Sequence, residues 1–178
     1  GDEILTTPFT FIATNTSILE LGAKPIFCDI QYETLNIDPV SVEKKITENT
    51  KAIMCVHYAG NPVELDELRV VAKKYNLRII EDAAHAMGSE YKGKPIGSIG
   101  DLITFSFQCV KIVTCGDGGA ITTTDKNLYN KIKKLTWYGI DRDAKTMSII
   151  DPLPQTPDML GFKSNMNDII ATLGCTAM

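Results

Sequence analysis

Ala52-Ile53-Met54-Cys55-Val56-His57, then Glu64-Leu65-Asp66-Glu67-Leu68-Arg69-Val70-Val71-Ala72-Lys73-Lys74-Tyr75, then Arg78-Ile79-Ile80-Glu81-Asp82. These three runs decide the fold. The first is an unbroken apolar stretch of strand length, as expected for a strand covered on both faces. The second places Leu65, Leu68, Val71 and Ala72 on one side of a helix with charge on the other. The third is apolar again and ends in two acids. Strand, amphipathic helix, strand is the unit of a parallel sheet.

The same alternation extends in both directions. Strands are expected at Glu3–Thr6, Pro25–Asp29, Ala52–His57, Arg78–Glu81, Leu102–Phe107 and Ala120–Thr124, with helices at Ala13–Leu21, Pro39–Ile46, Glu64–Tyr75, Lys126–Leu135 and Asn167–Met178. Asp38-Pro39 supplies an N-cap and a first-turn proline. The expected fold class is α/β, a mostly parallel sheet flanked by helices. Ligands of such sheets bind beyond the carboxyl ends of the strands, so the residues just after each strand carry the functional question. Residues 139–161, with Pro152, Pro154 and Pro157, read as a long loop or lid.

Composition narrows the partners. Hydrophobic residues make up 44% and charged residues 22% of the 178, and the net charge of −4 is spread along the chain. No basic cluster points to nucleic acid, and no apolar run is long enough to span a bilayer. The five cysteines are widely spaced, with no CxxC pair, which fits reduced thiols in a cytoplasmic protein better than a disulfide framework or zinc site. Residues 2–7 already read as a strand and the last residues fall within a helical pattern, so both ends are expected to be cut.

Lys111 is the single charged side chain between Leu102 and Cys115. Burial among apolar residues favours the neutral amine, the form that attacks an aldehyde. A lysine snorkelling from a strand end fits the same window. Asp82 follows an apolar strand. A carboxylate there either meets a cationic partner, such as a protonated pyridine nitrogen, or caps the next turn. Ser106, between Phe105 and Phe107, is a candidate phosphate donor. Gly116-Asp117-Gly118-Gly119 permits tight turns but matches neither the dinucleotide nor the Walker pattern. His57 and His85 both follow strands, and each reads equally as a site residue or a hydrogen-bonded structural one. Two separated histidines without a third ligand give little support for a metal, and none is expected.

Together these features resemble the DegT/DnrJ/EryC1/StrS family of pyridoxal 5′-phosphate (PLP) dependent nucleotide-sugar aminotransferases. The resemblance covers practically the whole chain. It is carried by Gly1-Asp2-Glu3-Ile4, Thr7-Pro8-Phe9-Thr10-Phe11, Gly22-Ala23-Lys24-Pro25, Val56-His57-Tyr58-Ala59-Gly60, Glu81-Asp82-Ala83-Ala84-His85, Phe105-Ser106-Phe107 with Lys111, Gly116-Asp117-Gly118-Gly119, and Gly161-Phe162-Lys163 with Asn165-Met166-Asn167-Asp168. It implies an aspartate-aminotransferase-like (fold-type I) large domain, of which residues 1–178 are the central part, without the N-terminal segment and the small C-terminal domain. Lys111 stands at the Schiff-base lysine, Asp82 at the acid facing the pyridine nitrogen, Ser106 at a phosphate-binding hydroxyl, and Phe11 at the stacking aromatic. His85 stands where many members have glutamine, beside the phenolic oxygen. Lys163 or Asn165 stands at the residue reaching the neighbouring subunit's cofactor phosphate. Ile112 departs from the polar residue usual after the lysine.

The implied reaction moves an amino group from glutamate to a nucleotide-linked keto sugar, 4-keto favoured, in a cytoplasmic homodimer of polysaccharide biosynthesis. A PLP-dependent sugar dehydratase of the same fold is the nearest rival, but those enzymes carry histidine at the position of Lys111. A non-catalytic regulatory or binding protein keeping the fold is another, against which intact Lys111, Asp82 and Ser106 stand.

Overall fold

The computed structural model describes residues 1–143 and 157–178. In chain order the elements are β1 (Glu3–Thr6), α1 (Ile12–Glu20), β2 (Lys24–Phe27), α2 (Pro39–Lys44), β3 (Thr50–Val56), α3 (Leu65–Lys74), β4 (Arg78–Asp82), β5 (Glu90–Tyr91), β6 (Lys94–Pro95), β7 (Leu102–Ser106), β8 (Gly119–Thr122), α4 (Lys126–Leu135) and α5 (Asp168–Ala177). A single 3₁₀ turn, Tyr58–Gly60, follows β3. Most of the expected 139–161 loop lies outside the described residues.

One sheet, in the order β2-β1-β3-β4-β7-β8, runs through the molecule. All neighbours are parallel except β7 and β8. The chain steps from β1 outward to β2, then crosses back to place β3 on the other side of β1. That reversal makes a switch point between β1 and β3, the place in such sheets where the loops at the carboxyl ends diverge. The Phe9 and Tyr58 rings, one from each loop, meet there with centroids 4.6 Å apart.

The core lies along β1, β3, β4 and β7. Leu5, Ile53, Cys55 and Ile103 are fully buried, and Leu65, Leu68, Val71 and Ala72 of α3 pack on the sheet as their spacing requires. Helix starts follow their chemistry. Asp38 accepts from Val40 N at 3.0 Å with Pro39 at the first position, and Asp125 and Asn167 cap α4 and α5 the same way. The sheet is mostly parallel, as expected, and its last strand is antiparallel because residues 107–118 return directly along β7 rather than crossing the sheet. Two features lie outside the sequence expectation. A hairpin, β5–β6, turns through Lys92 and Gly93, both at positive φ (50° and 76°), the geometry of a type I′ turn. Strand β4 extends to Asp82, which pairs with Val56 and Thr104. No helix among the described residues is long and apolar enough to cross a membrane.

Candidate functional site

The carboxyl ends of β1, β3, β4 and β7 converge on one edge of the sheet. Strand alternation sorts what they present. On β7 and just after it, Phe105 and Phe107 are buried while Ser106, between them, faces the other way. On β4, Glu81 and Asp82 point to opposite faces. Glu81, 1% exposed, accepts from His57 across 3.1 Å on one side. Asp82 accepts from Thr14 Oγ1 at 2.7 Å on the other, and its second oxygen accepts from Ala84 N at 3.0 Å. Two neighbouring acids thus have different employment.

A cleft of about 180 Å³ opens at this edge. Lys111, Ser106, His85, Ala84, Ala59 and Ile112 line it. Lys111 reaches it from the turn after β7, pinned by its own N–H to Gln108 O at 2.9 Å and by Phe107 N to Gly118 O at 2.8 Å. Ser106 Oγ accepts from Gln108 N at 3.4 Å. His85 is exposed on the turn after β4, and Asp82 is joined to the cleft wall through Ala84. The apolar surroundings expected for Lys111 are not what the fold provides. Val110 and Ile112 are 78% and 81% exposed, because the window leaves the strand at Phe107 and becomes a surface turn.

The other candidates divide. Phe11 occupies the N-cap position of α1 and is 74% exposed, a free aromatic face at the sheet edge. Lys163 and Asn165 do not line the Lys111 cleft. They touch each other at 2.5 Å; the Lys163 ammonium lies 4.5 Å from the Trp137 ring centre, and Asn165 lines a separate cleft of about 580 Å³ beside β8 and α4. His57 resolves as structural: its Nδ1 accepts from Val63 N at 3.2 Å, so Nε2 carries the proton donated to Glu81. Gly119 of the glycine cluster is structural as well: a Cβ there would sit 2.4 Å from Phe105 O, so close strand pairing demands glycine.

Three residues of this region carried no signal on their own. Thr14 and Thr10, 2.9 Å apart through their hydroxyls, lead to Asp82. Hydroxyls four apart at the start of the helix after β1 were the available clue. Buried Asn36 holds the cleft-side loop, donating to Asn61 O and Pro62 O and accepting from Tyr58 N at 3.0 to 3.1 Å. That support keeps Ala59 at φ 51°, an uncommon conformation for a residue with a Cβ.

The donor set suits PLP chemically. An amine, a hydroxyl and an imidazole share one cleft, and beside it stands a carboxylate held as an acceptor by two donors. Comparison with known proteins identifies the family. The model of the DegT/DnrJ/EryC1/StrS aminotransferase family matches residues 1–178. An uncharacterised protein of Methanocaldococcus jannaschii is 50% identical over 174 residues, 97% of this chain and 45% of that protein. Among solved structures, Helicobacter pylori PseC, an aminotransferase involved in the biosynthesis of pseudoaminic acid, is 35% identical with a TM-score of 0.90, over 99% of this chain and 45% of its own. DesI, solved in the presence of its TDP-sugar product, is 35% identical with a TM-score of 0.85, over 99% and 42%. The chain therefore spans somewhat less than half the length of these relatives. Its sheet has the architecture of the fold-type I large domain. Over all of its 178 residues, this chain belongs to the DegT/DnrJ/EryC1/StrS aminotransferase family.

Proposed function

We propose that the chain is the central part of the large domain of a PLP-dependent aminotransferase that moves an amino group from glutamate to a nucleotide-linked keto sugar, with the 4-keto position favoured. The observation that carries this reading is the meeting of Lys111, Ser106 and His85 in one cleft at the ends of β4 and β7, where Asp82 closes β4. The family match and the TDP-sugar product of DesI support the substrate class. The enzyme is read as a cytoplasmic homodimer.

When bound, PLP supplies an electron sink for the charge left on a carbon that loses its proton. Lys111 Nζ is the nucleophile that would hold the cofactor at its aldehyde carbon. Once free, the same amine accepts and returns a proton at Nζ. Asp82 would keep a positive charge on the ring nitrogen, as its acceptor-only bonding suits. The Ser106 hydroxyl would donate to the phosphate. Phe11 would stack on the ring and His85 would serve the phenolic oxygen. Lys163 or Asn165 serves the phosphate of the neighbouring subunit, in keeping with their absence from the wall of the Lys111 cleft.

The test is a panel of 3-keto and 4-keto nucleotide sugars offered to the full-length enzyme with glutamate. Amination of a nucleotide-linked sugar is expected. Amination of free keto acids with no sugar turned over refutes the substrate class.

A further inference from the structure

Thr14 lies within α1, is 4% exposed, and spends its hydroxyl in an unusual way. A helical threonine commonly turns back to a carbonyl of the preceding turn. Thr14 instead donates across the sheet edge to Asp82 Oδ2 at 2.7 Å. A hydroxyl has one hydrogen, and Thr14's is committed to the carboxylate. In the 2.9 Å contact between Thr10 and Thr14, Thr10 is therefore the donor. The chain of bonds has one direction, Thr10 to Thr14 to Asp82. The other carboxylate oxygen takes the Ala84 N–H. Two donors from different elements, α1 and the turn after β4, thus fix the rotation of the carboxylate about its Cβ–Cγ bond. A carboxylate accepts about four hydrogen bonds, so capacity remains for another donor.

We propose that Thr14, oriented by Thr10, is a positioning residue that sets the plane of the Asp82 carboxylate for a ring N–H of the cofactor. The inference rests on the assignment of Asp82 to the ring nitrogen. Thr14 acts through Asp82 and touches no reacting atom. Without it, one bond from Ala84 N would leave the carboxylate free to pivot, and part of its interaction with the nitrogen would be spent on ordering it.

The experiment compares affinity for PLP with affinity for its 1-deaza analogue, in which the ring nitrogen is replaced by CH, using the full-length enzyme. Absorbance titration gives both values, and their ratio reports the nitrogen alone. The wild type is expected to prefer PLP. Thr14→Val should reduce that preference about tenfold, as loss of a hydrogen bond to a charged group does. Thr14→Ser, which keeps the hydroxyl, should restore it. Thr10→Val should reduce it about threefold, because Thr14 keeps its bond but loses its orienting donor. A merely structural tether between α1 and β4 would lower the urea midpoint and leave the ratio unmoved; that result overturns the proposal. If Thr14→Val does not fold, a Thr10→Val ratio equal to wild type overturns it instead. A wild type indifferent to the ring nitrogen overturns the Asp82 assignment and this inference with it. A preference that survives Thr14→Val removes this inference alone.

Discussion

Lys111 is half-buried on a turn whose apolar neighbours Val110 and Ile112 are exposed, so the role proposed for it rests on where the turn delivers it. Reductive trapping with borohydride in the presence of PLP, followed by peptide mapping, should place the pyridoxyl label on Lys111; a label on Lys94 or Lys163 would sink the assignment. On the proposed reading, Asp82→Asn should cut transamination in the full-length enzyme far more than it weakens PLP binding, since the phosphate contacts and Lys111 would supply most of the anchoring. Normal turnover in that variant would make Asp82 structural. The thiols give an independent check on burial. Desolvation pushes the Cys28 thiol up to about 11 and the Cys55 thiol well above its ordinary value, while Cys109 and Cys175 are exposed. At about pH 8 a thiol reagent should modify Cys109 and Cys175 in the native chain, and Cys28, Cys55 and Cys115 after denaturation. Rapid reaction of Cys28 would show that its strand end is open. At this scale the sequence disclosed chemistry but not company. Lys111, Asp82 and Ser106 stand out by type and position. The bond from Thr14 to Asp82 spans 68 residues, and only the fold brings α1 to the end of β4. The two histidines were alike in sequence, and the Val63 N–H and the Glu81 carboxylate separate them in the fold.

Among the elements, β7, the turn after it and β8 act as one unit. Strand β7 orients Ser106, residues 107–118 carry Lys111, and β8 returns close enough that Gly119 permits no side chain. The opposite wall comes from β3 through the 57–63 loop, which His57 and Asn36 fasten, and from β4 through the turn that carries Ala84 and His85. The core beneath holds both units in place. Leu68, fully buried on α3, is expected to cost about 2–5 kcal/mol when replaced by alanine, through lost burial and the cavity left behind. Urea denaturation checks this, and a loss below about 1 kcal/mol would mean that α3 does not pack as described. Periodicity made the central strands and α3 legible, because burial on both strand faces and on one helix face leaves a pattern in the residues themselves. The direction of β8 and the β5–β6 hairpin were not legible. A four-residue strand reads the same in either direction, and two-residue strands are too short to show alternation.

For the molecule as a whole, the decisive fact is how much surface and how little enclosure 178 residues provide. Ile169, Leu173 and Met178 of the last helix and its end are 78%, 53% and 77% exposed, and Leu160 and Phe162 just before it are 86% and 59% exposed. Apolar exposure on this scale favours association. The chain on its own is therefore expected to be an oligomer. It should also have little or no aminotransferase activity, even with PLP supplied, for reasons read from the site. Among the described residues, Ser106 is the one that lines the cleft with a hydroxyl, whereas a phosphate dianion is held by several donors, backbone N–H groups of a helix start among them. Val110 and Ile112 at the rim face solvent, so water is not excluded and reacting groups are poorly confined. The chain spans less than half the length of the relatives it matches. Sedimentation of the purified chain and a half-transamination assay with glutamate test both parts together. A monomer reacting at the rate of the full-length enzyme would show that the cleft formed by β3, β4 and the β7–β8 turn is sufficient, and that phosphate binding and water exclusion are complete within these 178 residues.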